Sequence, residues 1–198
     1  MLYNNIDMST LKILLSKIAT ITNLTILFIL SHSILLFMLT YTFPAINTQI
    51  GTNAFDLQTF GYSFTTTKDI IKSLNEHATS IYIFPQLTLL DLFYPILLAT
   101  FLSSFLLRLK IITYSKFHSW ILLIPFIAML CDYLENVFIL LMITKTIELT
   151  ESFVFVSSTL TILKSTFTTI AWITVLYYSF KWLKIKLLKR QNEFIDNS

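Results

Sequence analysis

Asp132, Glu135 and Asn136 interrupt MLCDYLENVFILL, residues 129–141, an otherwise bulky apolar run. At helical spacing, positions i, i+3 and i+4 share one face. Two carboxyls on one face can take up a proton, pair with an amine or hold a cation, and the amide adds a donor and an acceptor. The partner such acids need is present. Lys164 sits inside STLTILKSTFTT, residues 158–169, with Thr161, Ser165 and Thr168 beside it. Asp91 opens LTLLDLFYP, residues 87–95, and His32 stands between Ser31 and Ser33 in LSHSI. The candidate polar network, or ligand-binding set, is therefore Asp91, Asp132, Glu135, Asn136, Lys164 and His32.

The elements that must carry these groups are membrane-like. Of the 198 residues, 55% are hydrophobic and 13% are charged, with a mean hydropathy of +0.73. A soluble domain carries nearer 25% charged residues. No charged residue falls between Lys17 and Asp56, so no face of that stretch is strongly solvated. Four spans are expected, at about 18–43, 87–107, 120–143 and 153–180. Each reaches the roughly 20 apolar residues that cross ~30 Å of hydrocarbon. In lipid the backbone must satisfy itself, so the spans are α-helical. The expectation is an all-α polytopic membrane four-helix bundle, one domain over residues 1–198. The first apolar stretch is too long for a signal-peptide core and lacks a small-residue cleavage site.

Lys and Arg set the expected orientation. Lys12, Lys17, Arg108, Lys110, Lys116, Lys181, Lys184, Lys186, Lys189 and Arg190 all fall on one side. Lys68, Lys72 and Lys145 fall on the other, offset by Asp56, Asp69, Glu76, Glu148 and Glu151. Both termini are thus expected to be cytoplasmic, in a plasma or inner membrane. The basic tail, residues 181–198, should touch anionic lipid headgroups rather than nucleic acid, for it lacks aromatic interleaving. The bilayer is the expected partner, and protein partners are not legible. The outer loop, residues 44–86, should hold one short amphipathic helix capped by Thr67, with Ile70, Ile71, Leu74, Ala78 and Tyr82 on its apolar face. Trp120, Trp182, Tyr177 and Tyr178 read as interface anchors, and Trp172 as packing.

Depth follows from the rise per residue. Asp132 lies about 18 Å into its span, Lys164 about 16 Å, and Asp91 about 6 Å from the outer edge. Glu135 lies one turn further out than Asp132, and His32 lies near the midplane. A lone charge at the bilayer centre costs roughly 2.5–3.5 kcal/mol on insertion scales. These groups must therefore face one another or a wet cavity, with Lys164 reaching Asp132 or Glu135. Pro95 and Pro125, inside spans 2 and 3, are expected to kink them.

Three readings stay open: a registry device locking the bundle, an outward-facing site for a small ligand, ion or proton, and a membrane-embedded enzyme acting on a lipid. The first two are favoured over the third. No catalytic residue, metal ligand set or cofactor motif is assigned. The sequence has no HExxH, GxSxG or phosphate loop, and one ammonium among the acids opposes a hard cation. The single Cys131 rules out an intrachain disulfide and reads as a packed hydrophobe.

FDLQ, GYS and Tyr82 in residues 55–82, DLFYP at 91–95, Pro125 with DYLEN at 132–136, and TLTILK at 159–164 form an ordered set. This set resembles that of a group of small four-span integral membrane proteins. The resemblance covers most of the chain from span 1 onward. It implies the same four-helix architecture and a functional weight on the polar set, and carries no activity with it.

Overall fold

A computed structural model describes residues 6–113 and 118–196, so Lys116 lies outside the described residues. Among these residues the architecture is all helical. Four helical stretches are long and apolar enough to cross a membrane: Ile21–Ile50, Glu76–Ile112, Ser119–Ile143 and Glu151–Gln191.

Span 1 differs from the sequence expectation at both ends. Helix α1, Ile6–Ile18, stops just before it, and α2, Ile21–Phe37, restarts after an extended Thr20. The Thr20 hydroxyl caps α2 by accepting from the Asn23 N–H at 3.2 Å. Pro44 has no N–H for the carbonyl four residues back, and the chain widens into a π turn, Met38–Thr42, just ahead of it. Helix α3, Phe43–Ile50, then continues the span because Phe43, Ile46 and Ile50 all find the core. It ends at Gly51, whose φ of +70° makes the left-handed cap. The loop therefore begins near Gly51 rather than Pro44.

In that loop the expected single helix is two. Helix α4, Phe64–Ser73, is capped by Ser63 rather than Thr67, and α5, Glu76–Ile81, is capped by Asn75. Thr67 is instead a buried second-turn residue whose hydroxyl donates to the Ser63 carbonyl at 2.9 Å. Asn75 breaks the run because its side chain serves the Ala78 N–H better than a continued turn would.

Span 2 bends at Phe84, which is extended (φ −138°, ψ 124°) before Pro85, inside the π-like stretch Tyr82–Leu90. Helix α6, Asp91–Ile112, follows, with Pro95 in its second turn. Pro125 does not kink span 3. A 3₁₀ turn, Ser119–Leu123, leads into α7, Ile124–Ile143, and Pro125 stands in the first turn of α7, where a missing N–H costs little. Helix α8, Glu151–Asp196, continues 16 residues past the expected end of span 4. At 1.5 Å per residue it is about 69 Å long.

Helix α7 packs along α8 and α6, and α6 along α2 and α8. The core has two parts. At the loop end, Phe43, Ile46, Phe55, Tyr82, Ile139 and Met142 pack together. At the other end, where Arg108 and the last turns of α8 lie, the core is Leu24, Leu102, Leu106, Leu122, Ala171 and Val175. Ile29, Leu36, Leu130, Leu134 and Ile173 stay exposed on the outside of the helices, which fits a surface solvated by acyl chains rather than water.

Candidate functional site

The apolar faces that bury α7 also bury its polar triplet, because positions 132, 135 and 136 lie on the stripe of Ala128, Ile139 and Met142. Glu135 is fully buried, and Asp132 and Asn136 are each 8% exposed. Helix α8 presents Lys164 to the same level. Its ammonium lies 2.5 Å from Glu135 Oε2 and 3.3 Å from Asp132 Oδ1. Thr161, one turn earlier on α8, donates its hydroxyl to Glu135 Oε1 at 2.7 Å. Both Glu135 oxygens are thus engaged from α8. The amide of Asn136 is buried with no hydrogen bond of ordinary geometry.

Asp91 reaches the same region from the start of α6 and is 3% exposed. Its carboxylate accepts from the Gln86 amide at 2.8 Å, and Gln86 in turn accepts from the Thr42 hydroxyl. The π turn before α3 and the bend before α6 therefore meet through a buried Thr42–Gln86–Asp91 chain. A cavity of about 280 Å³ lies between these groups. Its polar wall includes Asp56, Asp91, Asp132 and Lys164, and its apolar wall includes Leu98 and Leu102.

Asp56 was not expected there. It lies in a short turn, Phe55–Leu57, of the loop. Tyr82 fixes it by donating its hydroxyl to Asp56 Oδ2 at 2.5 Å while accepting from the Phe55 N–H at 2.9 Å. Oδ1 of Asp56 is buried and has no hydrogen bond. The next part of the loop is held on α8. The Tyr62 N–H donates to Ser158 Oγ at 2.8 Å, and the Tyr62 hydroxyl meets Ser157 Oγ at 2.6 Å. Gly61 makes this approach possible, since a Cβ there would stand 2.6 Å from Ser158 Oγ. Burial pushes the Tyr62 phenol well above its ordinary 10.0. The loop is thus a cover that carries one acid into the cavity wall.

His32 is not with this set. Its Nδ1 lies 2.9 Å from the Phe28 carbonyl and 3.1 Å from Ser31 Oγ, and its ring packs edge-on against Phe101 and Trp172. Of the hydroxyls expected to serve the network, Ser165 and Thr168 line the cavity and Ser33 is exposed. Among the described residues, no three His, Cys, Asp or Glu side chains are arranged to hold a metal ion.

Sequence reasoning missed Asp56, Gln86, Thr42 and the donation of the Tyr82 hydroxyl to Asp56. Asp56 sits in a polar run that reads as solvated. The available signal was its place in the FDLQ–GYS–Tyr82 set, which marks Asp56 and Tyr82 together but gives no distance between them. What the arrangement can do is bind positive charge: Lys164 is paired with Glu135 and Asp132, and Asp56, Asp91 and Asp132 line a space large enough for a small guest. No protein-family model matches the chain, and no curated protein or solved structure matches it either.

Proposed function

We propose that the chain is a multi-pass integral membrane protein of the plasma or inner membrane, with both termini cytoplasmic, and that its cavity is an outward-facing site for a small organic cation. The cavity itself carries this reading. Polar groups serving only to lock α7 to α8 would close on one another. Here Asp91 and Asp56 stand apart from the Lys164 pair, across an open space of about 280 Å³. Three acids, Asp56, Asp91 and Asp132, and one lysine already paired with Glu135 leave the wall electron-rich, so a protonated amine complements it and a carboxylate does not. The apolar wall, Leu98 and Leu102, suits a short alkyl substituent on that amine. The excess of Lys and Arg at the α1, α6 and α8 ends supports this orientation, in which the cavity faces outward.

The test is thermal unfolding of the purified full chain in detergent, with methylammonium, ethylammonium or acetate at constant ionic strength. A ligand that binds only the folded state stabilises it by about 2.7 kcal/mol at a hundredfold excess over Kd. The ammonium compounds should raise the unfolding temperature and acetate should not. Asp91→Asn, which is isosteric, should abolish the rise. A wild-type protein indifferent to all three salts overturns the proposal.

A second reading rests on its own observation: the Lys164 ammonium reaches both acids of α7. On that reading the network specifies the pairing of α7 with α8 and nothing else. Ammonium compounds would then leave the unfolding temperature unchanged.

A further inference from the structure

Helices α2 and α8 both flank α6, yet they do not pack closely on each other. The crevice between them is divided by Phe28, His32, Phe101 and Trp172, whose rings stand in mutual contact. On the loop side of this divide lies the acid-lined cavity. On the other side lies a separate groove of about 630 Å³. Its floor is Phe101, Phe105 and Leu109 of α6, and its sides include Leu24 of α2 and Leu176 of α8. Among the described residues no acid lines it, and the charged residue that does is Arg108. Ser179 and Trp182 of α8 lie at the same end as Arg108.

We propose that this groove holds one acyl chain of an anionic phospholipid whose headgroup phosphate is bound by Arg108. Three observations select this occupant. The groove is apolar along its length and cationic at one end, which is the charge layout of a phospholipid bearing a negative headgroup. No Asp or Glu occurs between Asp91 and Asp132, or between Glu151 and Glu193, so the stretches of α6 and α8 that line the groove carry no acid, the nearest on α8 being ten residues past Leu183. Arg108 is also held in place. It is half-buried, and its Nη1 donates at 2.8 Å to the Ala19 carbonyl, where the chain breaks between α1 and α2. A guanidinium fork fixed on one side is pre-organised for a phosphate on the other. The aromatic divide closes the far end. Phe101 is seven residues, or about 10 Å, from Arg108 along α6, which sets how deep the chain can enter.

Native mass spectrometry of the full chain, incubated with equal phosphatidylglycerol and phosphatidylcholine, tests this. The wild type should retain one lipid per chain and prefer phosphatidylglycerol. Arg108→Gln should cut that preference roughly tenfold or more, because a charge-assisted bond is lost. Arg108→Lys should keep most of it. Ser179→Trp fills the groove and leaves Arg108 in place, so it should lose the retained lipid of both kinds. Lys186→Gln with Lys189→Gln, on the exposed part of α8, should leave the preference intact. The proposal is overturned if the wild type retains no lipid, if Ser179→Trp retains it unchanged, or if the preference follows Lys186 and Lys189 rather than Arg108. Asp91→Asn leaves this groove untouched, so the outcome is independent of the cation site.

Discussion

Lys164 answers to two acids, and the two are not equivalent. Glu135 is the closer and the more deeply buried, and it has Thr161 on its other oxygen. Asp132 is further away and also faces the cavity. Lys164→Met should cost about 3–5 kcal/mol, since it strands buried carboxylates. Adding Glu135→Gln should recover more of that loss than adding Asp132→Asn. Denaturant unfolding of the single and double variants in detergent measures both couplings, and strict additivity in the Glu135 pair would contradict the geometry. The triplet and Lys164 were legible because a charge inside an apolar run has few places to go. Asp56 was not legible, because a carboxyl in a polar loop is ordinarily solvated. Only the fold shows that Tyr82, 26 residues away, pulls it inward.

At the scale of elements, the covering loop depends on glycine. Gly61 has a φ of +85°, and its missing Cβ is where Ser158 Oγ and Ile162 Cδ1 come to within 2.6 and 2.9 Å. Gly51 has a similar φ of +70° with open space around it. Gly51→Ala should cost about 1–2 kcal/mol of backbone strain alone. Gly61→Ala should cost clearly more and should free the loop from α8. Limited proteolysis of residues 51–63 reads the difference. The Tyr62 phenol adds a pH dependence of known sign. Its folded value is raised, so its contribution is complete below the ordinary 10.0 and is lost as pH rises beyond that. Loop cleavage should accelerate in strongly alkaline buffer, and Tyr62→Phe should remove that acceleration. The helices themselves were visible in the hydropathy pattern, but their ends were not. The π turn before Pro44, the cap at Ser63 and the 3₁₀ start before Pro125 each depend on local hydrogen bonds that apolar periodicity does not encode.

For the molecule as a whole, orientation and burial give the sharpest checks. Cys131 is buried and unpaired in a disulfide. A membrane-permeant maleimide should leave it unlabelled until the protein is denatured. In a Cys131→Ser background, Thr52→Cys should react with an impermeant maleimide on intact cells, and Lys189→Cys only after permeabilisation. The reverse pattern would invert the proposed topology. The proposed orientation rests on the bias of Lys and Arg. The full reach of α8 was not legible in the sequence, because its basic segment past Phe180 is amphipathic enough to be either helix or tail.

Only residues 144–150 separate α7 from α8. A loop so short brings the two helices together at small entropic cost, and it does so as soon as the second has been synthesised. Asp132, Glu135 and Lys164 would each be penalised by roughly 2.5–3.5 kcal/mol if they met lipid alone. Joined as a hairpin, they can leave the insertion machinery already paired. The biogenesis of this protein should therefore treat its last two helices as one cargo, and a ribosome-stalled chain ending between them should fail to integrate the third.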